Sequence, residues 1–176
     1  NEQFVVGMAG CSGRGVAIGT ELRKLGVKIA YACDPDESRA ARAAKSLEAS
    51  QAVADLRRIL DDRAVDAIAI AAPNHWHAPA AILGCQAGKH VYVEKPCSHN
   101  IVEGRLMIDA ARRSGRVMQV GSQIRGTKVF QEGIARVREG AIGRVLMAKT
   151  WVSRKRPDIG RCQPSLTALA FRVRKA

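Results

Sequence analysis

The first 25 residues constrain the fold most tightly. Phe4 to Ala9 is an apolar run interrupted only by Gly7, the pattern of a strand buried on both faces. It leads directly into Gly10-Cys11-Ser12-Gly13-Arg14-Gly15, after which Val16 to Leu25 carries apolar residues at helical spacing. Strand, glycine turn and helix therefore follow one another without a linker.

The same alternation continues downstream. Strands are expected over Val27–Cys33, Val65–Ala71, His90–Val93 and Val117–Val120, with a short, less certain one at Ala52–Val53. Helices are expected over Asp36–Glu48, from Asp55 as cap to Leu60, through Pro79–Gln86 and over Ile101–Arg113, with Gly88 and Gly115 supplying left-handed stops. Strands separated by helices imply right-handed crossovers and a sheet covered on both faces. The expected class is α/β: a doubly wound, mostly parallel Rossmann sheet over residues 1–124. After it, Thr127–Glu139 reads as a helix and Val145–Val152 as a strand with one wet face, the start of an α+β second domain over residues 125–158. Residues 159–176 form a basic tail.

Composition limits what this chain of 176 residues does. Apolar residues at 47% and charged residues at 26% fit a globular core and argue against disorder. The net charge of +13 suggests a polyanionic partner, but seven basic residues against one acid fall between Arg154 and the end. The remaining excess is scattered along helix faces, and two Trp, two Tyr and three Phe are too few for a base-stacking platform. No nucleic-acid partner is therefore expected, and a basic nucleic-acid-binding module is kept as an alternative. No apolar run is long enough to span a bilayer, so no membrane partner is expected. A cytoplasmic location is expected, with export after signal cleavage left open because the chain starts at Asn1. Cys11, Cys33, Cys85, Cys97 and Cys162 form no Cys-x-x-Cys pair and read as free thiols.

The turns carry the chemistry. In the glycine turn, Gly10 permits the tight bend, Gly15 allows close helix packing, and the amides at the helix start suit a pyrophosphate. Ser12 replaces the glycine at which backbone meets phosphate. Asp34 ends the second strand 24 residues after Gly10, near the spacing of an acid that accepts the adenosine ribose hydroxyls. Its alternative role is a helix cap before Pro35. With Asp36 and Glu37 beside it, NAD is expected over NADP, which Arg14 and Arg39 leave open. Pro73-Asn74-His75-Trp76-His77 and Glu94-Lys95-Pro96 follow two further strands, and Lys95 is placed to lose hydration and donate to a substrate oxygen. His75 and His77 face apart on a helix with no third ligand at metal spacing, so no metal site is expected.

These segments, with Cys33-Asp34, Ala87-Gly88-Lys89-His90-Val91 and Gln119-Val120-Gly121-Ser122-Gln123, resemble the glucose-fructose oxidoreductase and inositol dehydrogenase family (Gfo/Idh/MocA) across residues 3–158. The resemblance implies an NAD(P)-dependent oxidoreductase acting on a sugar or polyol, a homo-oligomer at full length, and a Lys95–Pro96 bond that is often cis. It implies that Gly10, Cys11, Ser12, Gly13, Arg14 and Gly15 cover the pyrophosphate, Asp34 the adenosine ribose, and Pro73, Asn74, His75, Trp76 and His77 the nicotinamide-ribose side. Glu94 and Lys95 are implied at the reacting centre, Lys95 as catalytic residue, with Gln123 close by.

The family continues into a second domain that supplies substrate contacts and an Asp-x-x-x-His acid/base pair. No such pattern occurs here, and Arg161 to Thr167 does not match the family's loop. The chain is therefore expected to bind cofactor without turning over alone. A working oxidoreductase, or the family's NAD-dependent glycoside-hydrolysing variant, completed by another chain is the enzyme-class alternative. An unpaired strand at Val145–Val152 is further expected to promote self-association.

Overall fold

In the computed structural model, which describes residues 3–151, the described chain separates into two compact units, one ending at Gly121 and the other beginning at Ser122. The first contains six strands: β1 (Val5–Ala9), β2 (Lys28–Cys33), β3 (Gln51–Val53), β4 (Ala67–Ile70), β5 (His90–Glu94) and β6 (Met118–Gly121). The helices between them are α1 (Gly13–Lys24), α2 (Glu37–Leu47), α3 (Arg57–Asp61), α4 (His77–Gln86) and α5 (Ile101–Ser114), with a single 3₁₀ turn at Asn74–Trp76. The second unit holds α6 (Lys128–Arg138), which buries none of its residues.

All strand pairs are parallel, in the order β3-β2-β1-β4-β5-β6. Alternating side chains explain the layering. Ile68 and Ile70 on β4, Val91 and Val93 on β5, and Tyr31 and Cys33 on β2 pack with Ala78, Ala81 and Cys85 of α4 and Met107 and Ala110 of α5. Their neighbours Val6, Met8, Ile29, Ala67 and Ala69 pack with Ile18 of α1 and Leu47 of α2. Both faces are covered, as a parallel sheet requires. The short strand at residues 51–53 is real and forms the sheet edge against β2.

The chain winds outward from β1 through β2 to β3, then crosses to β4 on the other side of β1. This reversal opens a crevice at the carboxyl ends of β1 and β4, where open parallel sheets bind ligands. Two glycines let the backbone close around it. Gly10 has φ +91°, and a Cβ there would meet the Ala71 carbonyl and the Ala72 nitrogen at 2.6 Å. A Cβ on Gly15 would overlap the Gly10 carbonyl, so α1 starts hard against the turn.

Asp36 caps α2, accepting from the Arg39 amide, so the alternative role of Asp34 as helix cap falls away. One expectation needs correction. The strand expected over Val145–Val152 is not formed over residues 145–151, which pair with no strand among the described residues; Val152 lies outside them. A segment without a ladder partner gains no inter-strand hydrogen bonds, and Val145, Leu146, Met147 and Trp151 stay exposed. The basic tail at 159–176 also lies outside the described residues. Among those described, no helix is long and apolar enough to cross a membrane.

Candidate functional site

The glycine turn presents the start of α1 openly. Ser12 is its N-cap without a side-chain hydrogen bond, no acid lies in the first turn, and a Cβ on Gly13 would meet nothing within 4 Å. Helix amides left in this state attract an anion, helped by the helix dipole. Asp34 is drawn into the same turn. One carboxylate oxygen accepts from the Cys11 amide at 2.9 Å; the other accepts from the Asp36 amide at 3.0 Å and lies 3.5 Å from the Arg39 guanidinium. Asp34 is 3% exposed, and the Gly10 amide donates to the Cys33 carbonyl beside it at 2.8 Å. Turn and acid thus share one hydrogen-bonded wall. Arg39, Arg42, Ser46 and the turn residues Ser12 and Gly13 line a cavity of about 400 Å³ next to it.

The turn after β4 forms the other side. Pro73, Asn74 and His75 are exposed and Trp76 is half-buried. His77 differs from expectation: it is 1% exposed, with Nε2 at 2.8 Å from the Ala72 carbonyl and Nδ1 against the Pro96 carbonyl. It bridges the carbonyls of the two turns. The Lys95–Pro96 bond it supports is cis.

Lys95 keeps the hydration that the sequence reading expected it to lose. Lys95 is exposed, while Glu94 is 4% exposed. The Glu94 Oε1 accepts from Arg14 Nε at 2.9 Å, from Arg14 Nη2 at 2.6 Å and from the Tyr92 hydroxyl at 3.0 Å; its Oε2 accepts from the Lys95 amide at 3.3 Å. Burial, followed by the bond to Glu94, pushes the Tyr92 phenol up, and the same carboxylate raises the Arg14 guanidinium. Arg14 therefore turns toward β5 and not toward Asp34, leaving Arg39 and Arg42 as the cations on the adenosine side.

Sequence spacing gave no sign of the Arg14–Glu94 pair, which is 80 residues apart. The usable signal was Glu94 itself, since a carboxylate closing a buried strand needs a cation. Gln123 falls in the second unit and is described within it. Among the described residues no group of three metal-ligating side chains exists.

Cys11 and Cys33 flank the turn as inert hydrophobes. Burial pushes both thiols up to about 12, with Asp34 the next cause for Cys11 and Cys11 the next for Cys33. A raised thiol pKa stabilises the fold fully below the ordinary value of 9.0, and that contribution is lost as pH climbs toward 12. The urea midpoint is expected to fall between pH 9 and pH 11. Alkylation at pH 8 followed by site-resolved mass spectrometry is expected to spare Cys11 and Cys33 until denaturant is added. Labelling of the native protein at these two sites would contradict their burial.

The sequence model described as "Oxidoreductase family, NAD-binding Rossmann fold" (GFO_IDH_MocA) matches residues 4–122. The chain belongs to the Gfo/Idh/MocA oxidoreductase family. A levoglucosan dehydrogenase from Pseudarthrobacter phenanthrenivorans is 37% identical over 107 residues, covering 61% of this chain and 27% of that protein. Inositol 2-dehydrogenase 2 of Saccharopolyspora erythraea is 32% identical over 148 residues, covering 81% of this chain and 43% of its own length. A solved levoglucosan dehydrogenase in complex with NADH and levoglucosan superposes with TM-score 0.71 at 29% identity, over 82% of this chain and 42% of that one. The chain thus spans less than half the length of these Gfo/Idh/MocA relatives, over the part that carries the NAD-binding Rossmann fold.

Proposed function

We propose that the chain is the cofactor-holding part of a Gfo/Idh/MocA oxidoreductase acting on a sugar or polyol. The observation that carries this reading is the bond from the Cys11 amide to Asp34, which joins the open helix start and the ribose-accepting acid in one wall. Asp34 would accept the adenosine ribose hydroxyls. The amides from Ser12 to Gly15 would hold the pyrophosphate, and the turn from Pro73 to Trp76 with Glu94 would border the nicotinamide side. Asp34 and Asp36 repel a 2′-phosphate and also engage Arg39, which favours NAD over NADP.

Bound NAD would supply the hydride acceptor. The exposed Lys95 ammonium, at the crevice edge next to buried Glu94, would donate from Nζ to the substrate oxygen and so position the carbon that loses hydride. Names of the relatives point to levoglucosan and inositols as the substrate class. The described residues contain no Asp-x-x-x-His pair, so completing the proton transfer is assigned to the second-domain part of the enzyme.

Calorimetry with NAD, followed by absorbance of NADH across a panel of sugars and polyols, tests this. Micromolar or weaker NAD binding without turnover is expected. Turnover lost in Lys95→Ala would show a complete site already present. Absence of NAD binding would overturn the proposal.

A further inference from the structure

We infer that the Arg14–Glu94 ion pair sets the site's preference between oxidised and reduced dinucleotide. The inference rests on the NAD-binding reading above and goes beyond it. If Asp34 at the end of β2 holds the adenosine and the turn after β1 holds the pyrophosphate, the rest of the ligand continues along the sheet edge past β4 to β5. From β2 to β5 is three strand spacings, roughly 14 Å, comparable with an extended dinucleotide. The nicotinamide then lies where Arg14 reaches across the end of β4 to Glu94.

The charges there are unevenly placed. Glu94 is buried and fixed by Arg14, Tyr92 and the Lys95 amide, whereas the Arg14 side chain is 48% exposed at the first turn of α1. Lys95, also a cation, is exposed beside it. Oxidised nicotinamide carries a positive charge and reduced nicotinamide carries none, so fixed charges nearby act on one redox state only. The guanidinium and ammonium disfavour the oxidised ring, and the Glu94 carboxylate offsets them. Tyr92 and Gly121 hold that carboxylate in register: a Cβ on Gly121 would strike the Tyr92 hydroxyl and lie 2.8 Å from Glu94 Oε1.

The test compares dissociation constants for NAD⁺, by calorimetry, and NADH, by fluorescence titration, at fixed pH and ionic strength. Glu94→Gln keeps one acceptor oxygen for Arg14 and Tyr92, gives up the 3.3 Å bond from the Lys95 amide and removes the negative charge. It is expected to raise the ratio Kd(NAD⁺)/Kd(NADH) about tenfold, the size of one unscreened charge at several ångströms in a partly wet site. By linkage the bound couple becomes more oxidising by about 30 mV. Arg14→Gln is expected to move the ratio several-fold the opposite way. Its side chain is half exposed, so it carries the test alone if Glu94→Gln melts early. A ratio unmoved in Arg14→Gln, or moved the same way by both substitutions, would overturn the inference while leaving dinucleotide binding intact. Failure of the unsubstituted protein to bind either form would overturn the binding reading and this inference with it.

Discussion

Asp34→Ala is expected to weaken NAD binding by at least a hundredfold. Two ribose hydroxyls donating to a carboxylate are each worth about 1.5–3 kcal/mol, so their joint loss exceeds two powers of ten. The same change costs stability, because the Cys11 and Asp36 amides lose their acceptor. A buried amide left unpaired costs about 1–3 kcal/mol. Asp34→Asn separates the two effects: its amide oxygen still accepts from Cys11, so the melting temperature recovers more than the affinity does. Calorimetry and thermal denaturation on the two variants check this. Equal NAD affinity in Asp34→Ala and the unsubstituted protein would remove the adenosine anchor from the account.

Gly10→Ala is expected to lower stability by about 3–5 kcal/mol, combining the backbone strain of a positive φ with overpacking. At roughly 4 °C per kcal/mol for a domain of this size, melting falls by about 12–20 °C. The cause is local: the added methyl would press on the Ala71 carbonyl and the Ala72 nitrogen, pushing apart the two turns that bound the crevice. Gly13→Ala provides the contrast. Its Cβ would enter open space, so melting stays within about 0.5 kcal/mol of the parent. NAD affinity should nevertheless drop in Gly13→Ala, because that space lies at the helix start proposed to hold the pyrophosphate. Melting that falls for Gly13→Ala and not for Gly10→Ala would contradict the packing described.

Much of this fold can be read from residue order. Apolar runs such as Phe4–Ala9 and Val65–Ala71 report burial on both faces, and each is followed by a turn and a helix, which leaves little choice but a parallel sheet. The strand at residues 51–53 was legible only weakly, since three residues at a sheet edge carry almost no pattern. Val145–Val152 misled because alternation records one apolar side without recording whether a partner strand exists. In the site, the bend at Gly10 and the place of Asp34 after β2 were recognisable because each is set by local chain geometry. The inward turn of His77 and the burial of Glu94 were not. They depend on which long-range partner each side chain finds, Pro96 for His77 and Arg14 for Glu94, and no local period encodes that.

Titration of isotope-labelled protein with NAD, followed through backbone amide resonances, tests the shared wall most directly. The amides of Cys11 to Gly15, Asp34 and Asp36 should shift together with one dissociation constant, accompanied by those of Asn74 to Trp76 and Lys95. Resonances of the glycine turn and of Asp34 that stay still, or that saturate at different concentrations, would show that the two do not hold one ligand.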